Sequence, residues 1–342
     1  MRKSSQPAPD RVSTIYDVAR QADVSIVTVS RVLNDYPHVS KRMRARVIEA
    51  ARVVGFSPKL VAKPRRLAVI IGHLDRLHGG HYKSHLLMRM IGAAARRGYA
   101  IDFIPAENVD IAVQRSVDGA IELGLTSLEL GCLDRLPDIP VVLVNKEVEG
   151  REAWSTVCSD HRQEARKATQ HLVAQGHRRI ALIVDEDRGW SAEHRLAGYR
   201  SVMRKATGKD DDQLVISAAD VALDEAALRI IQHGCTALVN FTDNAGLDLI
   251  GSLQQLHRIR IPQDMSVVGL EHEGVSQNLS PPMTTIKQPL DIIAETAISG
   301  LLDAIEDGDE TFHHMFASHL IERESVKPPP AARPSTKSGR KR

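Results

Sequence analysis

The chain has 342 residues, 42% hydrophobic and 4% aromatic, enough for two or three domains with real cores. No apolar run approaches the ~20 residues of a membrane span, the polar N-terminus lacks the apolar segment of a signal peptide, and the scattered Cys132, Cys158 and Cys235 fit neither a disulfide framework nor a zinc site, so a reducing, cytoplasmic setting is expected. The net charge of +2 hides a split: residues 1–66 carry 14 Lys+Arg against 5 Asp+Glu, and the remainder 31 against 38, so a basic head suited to a polyanion sits on an acidic body.

Residues 1–13 are polar and contain Pro, and read as a flexible arm. Thr14 then offers an N-cap hydroxyl with Asp17 three residues on, an approximate capping box. Ile15, Val18, Ala19 and Ala22 follow at helical spacing. Asp23 and Val24 make a tight turn, and Ser25 caps a second helix reaching about Asn34. Its Val29, Val32 and Leu33 face inward, leaving Ile26, Val27, Thr28, Ser30, Arg31 and Asn34 outward. Asp35, Tyr36 and Pro37 break it. Ser40 caps a third helix whose stripe is Met43, Val47, Ala50, Ala51 and Val54, ended by Gly55.

Two helices joined by a short turn and backed by a third make a helix-turn-helix, an all-α unit over residues 14–58. The short donors Thr14, Ser25, Thr28, Ser30, Asn34, His38 and Ser40 suit phosphate oxygens, which set register without reading sequence. Arg31 is the candidate base reader, because a guanidinium bridges O6 and N7 of guanine for ~1–3 kcal/mol of discrimination. Ile26 and Val27 suit thymine methyl groups. The bland alternative is a small helical protein-binding domain with those two residues as its apolar patch.

From Leu67 onward, short β-branched runs (67–73, 100–104, 118–123, 140–145, 155–159, 179–185, 236–242, 266–271) alternate with helical stretches (86–97, 164–175, 192–204, 225–232, 245–255). That alternation implies α/β architecture, parallel sheets covered by helices on both faces. A ligand site then belongs beyond the carboxyl ends of the strands. No G-x-S-x-G, P-loop or H-E-x-x-H motif is present, so neither catalytic residues nor a cofactor are assigned. His81 and His85 share a helical face and, with His73 and His78, raise a metal-sensing alternative.

The stretch TIYDVARQADVSIVTVSRVLNDYPHVSKRMRARVIEAARVVGFSP resembles the head of the LacI/GalR family of bacterial transcription regulators almost without gaps. It departs at Asp23, where that family has Gly. Asp tolerates the left-handed conformation better than most residues. In VDGAIEL, IPVVLVNK, HLVAQGHRRIALI, SAEHRLAGYR, IPQDMSVVGLE and LSPPMTTIKQP, residues 67–326 resemble the family's two-lobed, periplasmic-binding-protein-like effector and dimerisation domain. Residues 106–117 are short for a helix the family has there.

The resemblance implies a dimeric repressor that binds an inverted-repeat operator in double-stranded DNA under control of a small effector. It places Tyr82, Lys146, Asp160, Arg195, Thr242 and Glu271 at effector positions, with Asp243 beside them. Arg195 and Lys146 would suit a sugar acid or sugar phosphate as well as a sugar. In the short linker, 59–66, Lys59 and Ala62 match the family's hinge. Pro64 would stop the hinge helix, and Arg65 stands where a Leu wedge is expected, which suggests a charged minor-groove contact. Residues 327–342, Pro-rich and basic, read as a disordered tail without the Leu heptads of a tetramer. A sugar-binding protein that does not bind DNA is the remaining alternative.

Overall fold

The computed structural model describes residues 13–33, 39–56, 65–72, 81–136, 138–151, 154–184, 189–209, 212–242, 244–308 and 311–330. The chain divides into two compact units, before and after the Arg65–Arg66 bond.

The first unit is α1 (Ile15–Ala22), α2 (Ile26–Leu33) and α3 (Lys41–Val53). One core of Val18, Ala19, Ala22, Val29, Val32, Val47, Ala50 and Ala51 joins them, as their spacing requires. The Asp17 carboxylate accepts from both the Thr14 amide and its hydroxyl. Asp23 takes the left-handed conformation at φ 49°, and Arg46 donates to its carbonyl at 2.9 Å, tying the turn to α3.

The second unit opens with β1 (Arg66–Ile71), α4 (His81–Arg96), β2 (Ala100–Pro105), α5 (Asp110–Gln114), β3 (Gly119–Leu123), β4 (Val141–Val144) and β5 (Ser155–Ser159). The chain then crosses to a second lobe. There it builds α6 (His161–Ala174), β6 (Ile180–Val184), α7 (Trp190–Thr207), β7 (Val215–Ser217), α8 (Leu223–Gln232), β8 (Ala237–Phe241), α9 (Asn244–Gln255), β9 (Ser266–Leu270) and β10 (Thr284–Lys287). It returns to the first lobe for α10 (Leu290–Asp307) and β11 (His313–Phe316), and crosses again for β12 (His319–Ile321).

The sheet orders are β11-β5-β4-β3-β1-β2 and β12-β10-β9-β8-β6-β7. All pairings are parallel except β10 with β12. The central strands are buried on both faces and read as unbroken apolar runs. Cores on either side of each sheet fill the two lobes. α5 has 5 residues, so the helix expected to be short within residues 106–117 is present as about a turn and a half.

Two expectations change. β7, β10, β11, β12 and the long α10 were not marked in advance. The proposed tail begins too early, because the Lys327 amide and carbonyl both bond to Ser266 and the same carbonyl meets His177. Residues 331–342 lie outside the described part. No described helix is long and apolar enough to cross a membrane.

α6 and α7 approach closely at Gly198, where a Cβ would lie 2.2 Å from the Arg162 carbonyl oxygen and 3.1 Å from the Ala165 Cβ. Gly198→Ala should therefore cost about 1–3 kcal/mol, although Ala is the better helix former by ~1 kcal/mol. Chemical denaturation checks this, and an unchanged or raised midpoint would contradict the close approach.

Candidate nucleic-acid interface and interlobe cleft

α2 is held by its buried face, Val29 and Val32, and presents the other outward. Ile26 is 40% and Val27 59% exposed, and Arg31 is exposed. Two β-branched side chains in water at a helix start are costly unless something covers them. Ser25 and Ser40 begin their helices: the Thr28 amide donates to Ser25 Oγ at 3.1 Å, and the Met43 amide to Ser40 Oγ at 3.3 Å. The Ser25 and Thr28 hydroxyls also bond to each other at 2.9 Å, so those two and Thr14 are partly committed to capping. Ser30 is half-buried on α2, and Arg65 is exposed just before β1. Asn34, His38, Lys59, Ala62 and Pro64 lie outside the described residues, as do His73, His78 and Asp243.

Between the lobes lies an open cleft of about 1030 Å³ at the carboxyl ends of the strands. Tyr82, Lys146 and Arg195 line it, together with Asn145, His161, Trp154, Trp190 and Gln288. The other three expected ligand residues are committed inside the protein. Asp160 caps α6, accepting from the Gln163 amide at 2.8 Å. Thr242 is fully buried and donates to Asn240 Oδ1 at 2.8 Å. Glu271 is paired through both oxygens with Arg323, at 2.9 and 3.0 Å. It also accepts from Thr285 and borders a separate water-sized cavity of about 20 Å³. Thr242 and Glu271, this well satisfied, have little left to offer a ligand, whereas Asp160 is half-buried with one oxygen used.

The residue that sequence reasoning missed is Glu164. It is fully buried and sits where all three crossovers meet. His161 Nδ1 lies 2.9 Å from its Oε2, and Arg195 donates to the same oxygen at 3.4 Å. Gln288, on the second crossover, donates to Oε1 at 2.8 Å, and Ser318, on the third, at 2.7 Å. Burial alone would raise this carboxyl, but His161, Arg195 and Ser318 outweigh it and hold it well below the usual carboxylate range. Burial pushes the His161 imidazole the other way, below its ordinary value. A neutral imidazole donating Nδ1–H to Glu164 leaves Nε2 as an acceptor, a buried atom with no partner among the described residues. The i, i+3 spacing of His161 and Glu164 at a helix start was the available signal.

Gln288 also donates to Ser159 Oγ at 2.9 Å. Ser159 in turn donates to Asn145 Oδ1 from its amide, at 2.6 Å, and its hydroxyl, and Asn145 Nδ2 donates to the Tyr82 hydroxyl. Asn145 is left-handed, at φ 53°, a conformation Asn tolerates and one that clusters at binding sites. Burial raises the Tyr82 phenol, so it stays neutral. It also pushes the Cys158 thiol up to about 12, which leaves that thiol a poor nucleophile. His85 stands 3.4 Å from Glu273, and no group of three or more His, Cys, Asp or Glu among the described residues could hold a metal.

Residues 14–59 match the pattern of bacterial regulatory proteins of the lacI family, and residues 169–326 a periplasmic binding protein-like domain. The HTH-type transcriptional repressor PurR of Vibrio atlanticus (strain LGP32) is 28% identical over 334 residues, spanning 92% of this chain and 99% of that protein. The ribose operon repressor of Escherichia coli (strain K12) is 28% identical over 313 residues, spanning 86% and 93%. Among solved structures, a transcriptional regulator CelR–cellobiose complex superposes with a TM-score of 0.70 at 26% identity, covering 92% of this chain and all of that one. The lac repressor dimer bound to operator and the anti-inducer ONPF reaches 0.70 at 22%, covering 93% and 100%, a likeness of fold.

Because the Glu164 carboxyl is held low, its contribution to stability is present above the ordinary value of 4.5 and lost as pH falls below it. Glu164→Gln should cost about 3–5 kcal/mol at neutral pH, and the gap to wild type should narrow in acid. Denaturation curves across pH 3–7 measure that gap; a constant difference would remove the charge from the account.

Proposed function

The chain belongs to the lacI family of bacterial regulatory proteins and is a DNA-binding transcription regulator, and we propose that it is a dimeric repressor whose operator binding is set by a small sugar-like effector held between the lobes. The observation that carries this reading is the outward face of α2, where Ile26, Val27 and Arg31 stand exposed on a helix fixed by Val29 and Val32. A single such helix reads only a few base pairs, so two copies on an inverted repeat are required for specificity. Met88 on α4 and Leu256 after α9, 65% and 64% exposed, offer apolar surface to a second copy.

In this reading Arg31 bridges a guanine, Ile26 and Val27 meet thymine methyls, and Ser25, Thr28, Ser30, Ser40 and Thr14 set register on phosphates. Arg65 supplies charge to the minor groove. Tyr82, Lys146 and Arg195 belong to the effector cleft. The ligand named for one neighbour, cellobiose, is a carbohydrate, and the aromatic walls and remaining N–H donors of this cleft suit the same class.

Thermal-shift screening with sugars and their derivatives, followed by gel shift on inverted-repeat sites, tests the whole reading. A protein that prefers no such site over bulk DNA at physiological salt would be no operator-binding regulator. Arg31→Ala should relax base preference at one position in each half-site, a loss of ~1–3 kcal/mol confined to that position; weakening spread evenly over all sequences would make Arg31 a phosphate contact. Arg195→Ala should abolish the response to effector and leave operator affinity within about twofold of wild type. Loss of operator binding itself would remove Arg195 from the effector site.

A further inference from the structure

We propose that the cleft selects an uncharged polyhydroxylated ligand, and that Glu122 and Glu164 are the residues that set this charge specificity. The inference rests on the cleft being the effector site and narrows what it takes.

Four cations line the cleft: Lys83, Lys146, Arg151 and Arg195. Three are already neutralised. Lys146 Nζ lies 3.2 Å from Glu122 Oε1 and also donates to the Leu125 carbonyl, which uses two of its three donors. Arg195 is paired with Glu164 at 3.4 Å and gives a second N–H to the Phe241 carbonyl. Arg151 is paired through both terminal nitrogens with Asp134. Only Lys83 has no carboxylate among the described contacts. Glu147, Glu149 and Glu193 face the same space, so the field there is not positive.

Glu122 and Glu164 are both completely buried, which decides the matter. A phosphate or carboxylate arriving at Lys146 or Arg195 would compete with a carboxylate that cannot turn to water. Pulling the cation away would strand that carboxylate in the interior. What the site still offers is neutral hydrogen bonding. The Tyr82 O–H and the Trp154 and Trp190 indole N–H groups belong to residues lining the cleft, and each can donate to a ligand oxygen. The rings of the same three residues wall the cleft, and the C–H faces of a sugar ring can pack against them.

The test uses the full chain and inorganic phosphate as the anionic probe, titrated by thermal shift at constant ionic strength. Wild type should show no saturable stabilisation up to about 10 mM phosphate, tenfold above a millimolar site. Glu164→Gln and Glu122→Gln should each acquire a phosphate site at least ~10-fold tighter than any in wild type, because each frees a cation. Glu122 lies in the other lobe, so its variant carries the test if Glu164→Gln does not fold. Saturable phosphate binding by wild type below about 1 mM, abolished by Arg195→Ala, would overturn the charge specificity and leave the cleft as the ligand site. Folded glutamine variants as blind to phosphate as wild type would overturn it too. A wild type that responds to neither phosphate nor any neutral sugar would remove the underlying assignment of the cleft, and this inference with it.

Discussion

Everything in the second unit turns on one buried negative charge. The chain passes between the two lobes at three crossovers, and Glu164 lies where those crossovers meet. An isolated carboxylate in a protein interior is prohibitively costly. It is tolerable here because donors arrive from four separate places: His161 on α6, Arg195 on α7, Gln288 on the second crossover and Ser318 on the third. Each crossover therefore needs the others to keep the charge satisfied. Lys167 reinforces the third, donating to the Ser318 carbonyl at 2.6 Å.

The cleft is an extension of this network. From Gln288 the bonds run through Ser159 and Asn145 to Tyr82 in the first lobe, and from Glu164 through Arg195 and His161 in the second. The side chains lining the cleft are thus held by a second layer that also ties the crossovers together. This arrangement keeps binding groups within narrow tolerances without placing them on mobile loops.

Much of this was legible in the sequence, for identifiable reasons. The head was readable almost residue by residue because its information is local: caps, a 3.6-residue period, and one turn residue able to go left-handed. The central strands were readable because burial on both faces leaves an unbroken apolar run. The strands that escaped notice are short and lie at or near sheet edges; β11 contains the exposed pair His313 and His314, whose polarity looks like loop. Cleft-lining residues were legible only where position in the fold decides them, as for Tyr82, Lys146 and Arg195. Whether a carboxylate faces a ligand or a neighbour depends on partners far along the chain. Glu271 is claimed by Arg323, 52 residues away, and Glu122 by Lys146, 24 away. No local pattern announces either pairing.

The same arrangement bears on how a ligand could alter the protein's state. Binding shifts a two-state equilibrium only by its differential affinity, and moving a population from 1:99 to 99:1 takes ~5.5 kcal/mol. A ligand that packs against Arg195 or His161, both of which line the cleft, touches two of the four groups that balance the Glu164 charge. Their exact placement is worth most in one relation of the crossovers, because Gln288 and Ser318 must reach the same carboxylate. A ligand that is satisfied in only that relation gains its full hydrogen bonds there and loses them in any other. The energy that distinguishes the states then comes from the buried network as well as from the ligand's own contacts. A neutral ligand can use it without displacing the charge that makes the network necessary.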